Sequence, residues 1–484
     1  MRALAMCGLL AFAAGSLQAQ DLATDVGLQI QRFLHQNSMR MFGVEAPLRE
    51  SAVGPYEGQD DLRALIVARG LKATVVTTAT GALNDQIAFW PNDENPTHLF
   101  VPVEGGATGP ALQVVDLNAD PARNVRTILQ GLTSADPVRR TPWGTIVVGE
   151  ETTDGGLYEI FDPLSITTTV MVTNRATGET SDPAHVVKRK TLGALAWEGL
   201  AILPNGTTYY GDELRPGTGV AGGAIYKFVP TQPWAGGVAT TPANSPYASG
   251  KIYGLRLGTS GTDYGQGSEV GVGRWVLIET APDSNGNINL RAAAATNKLT
   301  GYYRPEDMDL DTMALARGIV RFCWANTGRM TNGGSSMTER GGNPGEILCG
   351  REIYAGDQVT ESELMVTRLW GGDSDANYFD NVAFQPHTGN LVVLEDGEVE
   401  TVTPDGRVEL RGNDIWMLLP DGEDRDNLTD GAIKIASLRD TASEPSGAIF
   451  DPSGQNLYVC LQHRSTNRGA ILKISGFHVP SELQ

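Results

Sequence analysis

Basic residues are scarce in this chain relative to acidic ones. Its 37 Lys and Arg face 57 Asp and Glu over 484 residues, a formal net charge of −20. Such a surface repels nucleic acid and anionic membranes and attracts cations, so no nucleic-acid partner is expected. Cysteine is scarcer still. Of the four present, Cys7 falls in the N-terminal apolar run, and the remaining Cys323, Cys349 and Cys460 are an odd number that cannot form a disulfide framework. Cys323 and Cys349 occupy apolar, strand-like segments 26 residues apart and can pair across neighbouring strands; three buried free thiols are the other reading. The chain has no HExxH, no CxxC, no EF-hand loop and no GxSxG, and Gly333-Gly334-Ser335-Ser336 lacks the lysine of a P-loop. The usual metalloprotease, serine-hydrolase and nucleotide-binding readings fall away.

Long apolar runs are also missing after the first residues, so no membrane span is expected. In residues 1–19, Arg2 is the only charge, Leu9 to Ala14 form a short apolar run, and Leu17-Gln18-Ala19 suits cleavage. This reads as an ordinary secretory signal, without a twin-arginine pair, and implies a periplasmic or secreted protein. A retained N-terminal anchor is the alternative.

What the chain has in quantity is glycine, 58 residues, arranged in a repeat. A Pro/Asn/Gly turn, an apolar strand and then acidic or polar residues recur from Trp90, Thr141, Leu203, Leu310, Gln385 and Asp451. The turn glycines Gly144, Gly206, Gly318, Gly389 and Gly454 are 62, 112, 71 and 65 residues apart. Radial repetition of small sheets explains such a period and leaves few exposed edges. The expectation is an all-β, six-bladed β-propeller over residues 85–484, with long inter-strand insertions. Residues 20–84 are expected to pack on it and to include a short helical segment from Asp25 to Gln36. The 112-residue gap points to an insertion around residues 230–300, in which the strand from Gly273 to Ile278 is either inserted or the start of a seventh blade. Two unrelated β-sandwiches are the alternative fold.

In a propeller the inner strands converge on one channel. Strand ends here carry Glu150-Glu151, Asp212-Glu213 and Glu395-Asp396, and turns entering strands carry Glu198, Glu306 and Asp380-Asn381, with Glu444 before the last repeat. Like charges in one funnel repel unless protonated or bridged by cations. A hard cation with six to eight oxygen ligands, above all Ca²⁺, meets that need, with Asn326 and Asn381 as further oxygen donors. Of the six histidines, His35, His98, His185, His387 and His478 read as surface or packing residues. His463 alone sits at a polar strand end.

The ordered set Thr141-Pro142-Trp143-Gly144-Thr145, Glu150-Glu151, Trp197-Glu198, Gly211-Asp212-Glu213, Tyr303-Arg304-Pro305-Glu306, Asp380-Asn381-Val382-Ala383, Glu395-Asp396-Gly397 and Gln462-His463 resembles the PhoX-type alkaline phosphatases, from about residue 85 to 475. The resemblance implies a six-bladed propeller with a calcium- and iron-containing cluster at one end of the channel, hydrolysing phosphomonoesters outside the cytoplasm. It makes Glu150, Glu151, Glu198, Asp212, Glu213, Glu306, Glu395 and Asp396 candidate metal ligands, joined by Asp380 from the strand-end pattern. Two departures stand out. The family's iron-ligating cysteine before the double acid is Gly149 here, and its Asn-or-Ser-His-Glu element is Ala196-Trp197-Glu198. Loss of a soft thiolate puts iron in doubt and leaves an all-oxygen calcium site as the expectation. Arg329 and Arg340 are the candidate phosphate clamps, with Asn326 and His463 as further catalytic candidates acting on a small phosphorylated substrate in a monomer. Two rival functions are a calcium-dependent lactonase or phosphodiesterase, and a non-catalytic propeller stabilised by calcium.

Overall fold

The computed structural model describes residues 25–53, 61–217, 220–257, 266–267, 269–328, 344–353, 362–373, 375–396, 400–402, 408–424 and 426–481. The expected signal segment, Arg329 and Arg340 lie outside the described residues. Six antiparallel four-stranded blades succeed one another. Blade 1 holds Ala88–Trp90, His98–Pro102, Pro110–Asp116 and Val125–Gln130; blade 2 holds Ala135–Arg140, Ile146–Glu150, Leu157–Ile160 and Val186–Lys188. Blade 3 holds Trp197–Ile202, Thr208–Asp212, Ile225–Pro230 and Gly250–Leu257; blade 4 holds Pro305–Leu310, Arg321–Asn326, Glu346–Ile353 and Glu363–Gly371. Blade 5 holds Phe379–Phe384, Leu391–Glu395, Asp414–Leu418 and Ala432–Leu438. Blade 6 runs Glu444–Phe450, Asn456–Gln462 and Ala470–Ser475, and its outermost strand is Lys72–Thr77 from the other end of the chain.

Why these runs form strands follows from where their faces go. In Leu391–Glu395, Leu391 and Val393 join the cluster shared with blade 4, while Val392 and Leu394 join the one shared with blade 6. Side chains alternate across a strand, so a strand buried on both faces reads as an unbroken apolar run. Six buried clusters result, one for each pair of neighbouring blades, the last uniting Phe89 and Val101 of blade 1 with Cys460 and Ile471 of blade 6. All five turn glycines named above adopt left-handed φ values between 67° and 90° where the innermost strand turns into the second. Only glycine does so without a Cβ penalty.

Residues 25–84 do more than pack on the outside. Asp25 caps the helix Val26–Gln36, its Oδ1 accepting from Leu28 N–H at 2.9 Å. Leu65–Val67 adds a fifth strand to blade 5, and Lys72–Thr77 closes blade 6, so the ring is shut by the two chain regions together. The insertion between blades 3 and 4 contains Gly271–Leu277, which pairs with Gly250–Leu257 on one side and Glu363–Gly371 on the other. It joins two blades edge to edge and founds no seventh.

Cys323 and Cys349 face each other in register on the second and third strands of blade 4 and form a disulfide; Cys460 is buried and free. Closing a 26-residue separation contributes about 3 kcal/mol by restricting the unfolded chain. Replacing both cysteines by alanine is expected to lower unfolding free energy by that order in urea titrations.

Candidate metal centre

In blades 2 to 5 the innermost strand opens with a β-bulge. Ala135 opposes Glu150 and Val138 opposes Val148, and the same two-against-one step recurs at Trp197/Leu200, Pro305/Met308 and Phe379/Val382. A bulge bends the strand and re-aims the residue inside it. The bulged residues include Asp136, Glu198, Glu306 and Asp380. Blade 1 supplies Asp85 beside the Asn84–Val103 bridge, and blade 6 supplies Glu444 opposite Gln462. All six acids are buried. One carboxylate per blade meets at one end of the channel.

A second tier is clasped beside the first. The carbonyls of Leu83, Ser134, Ala196, Arg304 and Tyr378 accept from the N–H groups of Glu104, Glu151, Glu213, Thr327 and Asp396. Ser134, Arg304 and Tyr378 take left-handed φ values of 45°, 56° and 53° to do so. In blade 6 the equivalent residue after the second strand is His463, half-exposed, with Nε2 3.5 Å from Glu444 Oε1.

Three of the expected ligands, Glu150, Asp212 and Glu395, have their oxygens engaged by donors of the protein itself. Glu150 accepts from Thr133 N–H, Gly156 N–H and Arg175 Nε. Asp212 accepts from Ala196 N–H at 3.0 Å and Arg291 Nε at 2.9 Å. Glu395 takes donors from Asn377, Arg411, Asp414 and Trp416. These are the residues in register with the first residue of each bulge, and their oxygens are spent on shaping the hairpin. Asn326 belongs with them: it stands opposite Pro305 and is held by Trp324 Nε1 and Glu346 Oε1. Glu151, Glu198, Glu213, Glu306, Asp380, Asp396 and His463 do come together. The sequence reading passed over Asp85, Glu104 and Asp136, named Glu444 without a role, and gave none to Arg304. The signal was there as spacing: Asp136 precedes Glu150 by 14 residues, Glu198 precedes Asp212 by 14 and Asp380 precedes Glu395 by 15.

The electrostatics are severe. Among the described residues ten carboxyl groups crowd this basin: Asp85, Glu104, Asp136, Glu151, Glu198, Glu213, Glu306, Asp380, Asp396 and Glu444. Burial, then the neighbouring carboxylates, push Asp85, Glu151, Asp380, Asp136, Glu198 and Glu444 well above the usual carboxylate range. Burial raises Glu104 to about 7, and raises Glu306 to about 8 against the opposing pull of Arg304. Asp136 and Glu198, Glu104 and Glu151, and Glu444 and Asp396 stand close enough to interact as carboxyl pairs, a closeness that needs either a proton or a cation between the oxygens. Among the described residues the counter-charge within the basin is Arg304, whose Nε reaches Glu213 and whose Nη2 lies 3.2 Å from Glu306 Oε1. Thr327 Oγ1 donates to the same Glu306 oxygen.

The donor set fits a hard cation. Oxygens of Glu198, Glu306 and Asp380 lie within 4.8 Å of one another, and Asp85 Oδ1 and Asp136 Oδ1 are buried without a partner. It does not fit iron held by a thiolate. A Cβ on Gly149 would lie 2.5 Å from Trp197 Cβ and 2.7 Å from Pro137 Cγ, so the space for a side chain there is filled. Trp197 is itself locked, stacked on Tyr210 with Nε1 donating to Gly155 O. The two sequence departures are thus one packing event.

Two outcomes are expected. Gly149→Ala forces overpacking and lowers stability by about 1–3 kcal/mol, measured by thermal or urea unfolding. In metal-free protein the raised carboxyls favour folding when protonated. Their contribution is full below the ordinary 4.5 and is lost as pH climbs through about 7 for Glu104 and about 8 for Glu306. Chelator-treated protein should melt several degrees lower at pH 8 than at pH 5, and added calcium should remove most of that difference.

Residues 107–465, about three quarters of the chain, match the family model for alkaline phosphatase PhoX. Among solved structures, Pseudomonas fluorescens PhoX in complex with vanadate, a transition state analogue, superposes with a TM-score of 0.62 at 16% identity, covering 89% of this chain and 100% of that one. A gluconolactonase from Xanthomonas campestris superposes with a TM-score of 0.37 at 11% identity, over 89% of this chain and 96% of that one. No curated protein sequence matches. The bladed repeat, the tiered acids and the extent of the family match lead to one assignment: this chain is a β-propeller of the alkaline phosphatase PhoX family.

Proposed function

We propose that the protein is an exported, calcium-dependent phosphomonoesterase whose reaction takes place in the carboxylate basin. The observation that carries this reading is the ratio of charges there: among the described residues, ten convergent carboxyls stand beside one guanidinium, Arg304. Such a basin is unfavourable for an anionic substrate until cations occupy it, and then becomes favourable. Glu198, Glu306 and Asp380 would hold one cation, with Asp85, Asp136, Glu151, Glu213, Asp396, Glu104 and Glu444 available for others. Calcium bound there supplies positive charge for phosphoryl oxygens and a polarised water.

The chain's own residues do the rest. Arg304 is partly buried and fixed by Glu213 and Glu306, so its guanidinium is pre-oriented, and a planar fork matches phosphate oxygens. Arg304 would serve as a phosphate clamp alongside the candidates Arg329 and Arg340, which lie outside the described residues. His463, at the rim against Glu444, is placed to deliver a proton to a leaving alkoxide, and the half-exposed position lets the leaving group depart to solvent. Export is supported by the signal-like residues 1–19; among the described residues, no helix is long and apolar enough to cross a membrane. A small phosphorylated substrate and a monomer complete the proposal.

The test is hydrolysis of p-nitrophenyl phosphate, its bis-ester and a lactone by the purified full chain with calcium and with chelator. Calcium-dependent release from the monoester is expected, and Arg304→Met should cut kcat/KM about 100-fold. Turnover of the lactone alone would overturn the reading. No turnover together with calcium-raised Tm would leave a structural calcium propeller.

A further inference from the structure

Immediately below the acid tiers, one arginine spans the channel. Arg139, on the innermost strand of blade 2, donates through Nη2 to Asp307 Oδ1 of blade 4 at 2.5 Å and to Met308 O at 3.1 Å. Its Nη1 donates to Gln86 Oε1 ahead of blade 1 and to Val138 O. Asp307 Oδ2 in turn accepts from Val382 N–H of blade 5 at 3.3 Å. Gln86 Nε2 donates to Glu198 Oε1 of blade 3 at 3.3 Å.

We infer that Arg139 and Gln86 are positioning residues that hold Glu198 ready for a cation. The reason is the one-way chemistry of guanidinium. Arginine has only donors, so Gln86 must turn its carbonyl to Arg139. The amide then has only its NH₂ to offer Glu198, and that group holds Oε1 as an acceptor. Without Arg139 the amide of Gln86 is free to rotate and present its oxygen to the carboxylate, which repels it. Arg139 also lines a cavity of about 320 Å³ together with Asp309, Phe384 and Ile449. Residues that orient a ligand through its second oxygen commonly change metal affinity about 10–100-fold when removed.

This inference rests on the reading of Glu198 as a cation ligand, and the experiment separates the two. Calcium binding by the full chain, stripped with chelator and followed calorimetrically, is compared for the parent, Gln86→Leu, Arg139→Lys and Glu198→Gln. Melting temperature is recorded without calcium for each. Gln86→Leu is expected to weaken calcium binding about tenfold or more, with little change in the calcium-free Tm, because its volume and the Arg139–Asp307 pair are kept. Arg139→Lys keeps the charge beside Asp307 but cannot hold Gln86 as well, and is expected to weaken calcium binding similarly; it carries the test if Gln86→Leu does not fold. A lower calcium-free Tm with parental calcium affinity in both variants would mean a purely structural role and overturn the inference while Glu198→Gln still weakens binding. Parental affinity in Glu198→Gln would overturn both readings.

Discussion

Mutual repulsion among buried carboxylates is the constraint around which this propeller is organised. Six come from the innermost strands, one per blade, and four more from the ends of the next strands. Brought together without protons or cations they would oppose the very convergence that makes a closed ring. Much else in the chain answers that problem. Arg175, Arg291 and Arg411 occupy the acids Glu150, Asp212 and Glu395 and so limit how many oxygens enter the basin. Arg304 and Arg139 place guanidinium charge within and beneath it. The β-bulges determine which acid of each hairpin faces inward and which is spent on the scaffold.

The distinction between those two kinds of acid is the part of the site that a linear reading misses. Glu150-Glu151, Asp212-Glu213 and Glu395-Asp396 look equivalent within each pair. In the folded hairpin the first member lies in register with the start of the bulge and meets arginine, while the second is lifted into the basin by a backbone clasp. Alternation of side chains across a strand is readable from sequence, but a bulge breaks the alternation by one residue and leaves no compositional mark. The fold was more legible. Turn glycines at left-handed φ and strands buried on both faces write the blade repeat openly, as in Leu391 to Glu395. Less legible was Lys72–Thr77, since its partner Ala470–Ser475 lies at the far end of the chain and no local pattern announces a pairing of that range. Asp85 and Glu104 were hidden for a different reason, in a first blade held by the local Asn84–Val103 bridge, whose acids are spaced unlike those of the other blades.

Gly149 and Trp197 show how a packing change can carry a chemical one. At Gly149 the Cβ position is occupied by Trp197 and Pro137, and the indole ring fills the hydrophobic cluster between blades 2 and 3 with Leu157, Leu195 and Tyr210. Restoring a thiol at position 149 alone would meet that wall. The basin is left with oxygen donors, which select hard cations, and the stacked aromatic gives the blade interface additional buried area. Local packing and the absence of room for a thiolate at position 149 are therefore set by the same two residues.

Because each acid of the inner tier belongs to a different blade, a bound cation acts on the fold as well as on a substrate. Glu198, Glu306 and Asp380 come from blades 3, 4 and 5, so an ion among them ties three consecutive blades at their narrowest point. The covalent chain closes the ring elsewhere, through Lys72–Thr77 at the outer edge of blade 6. Inner cross-link and outer clasp would resist different distortions: the clasp opposes circumferential opening, and an ion would keep the inner strands from springing apart under their own charge. Protons can relieve that charge too, but a shared proton joins only two oxygens, whereas calcium gathers six to eight. Exchange of protons for cations would thus convert a set of pairwise contacts into a multi-blade junction, and in the proposed reaction the same exchange would make the basin receptive to an anion.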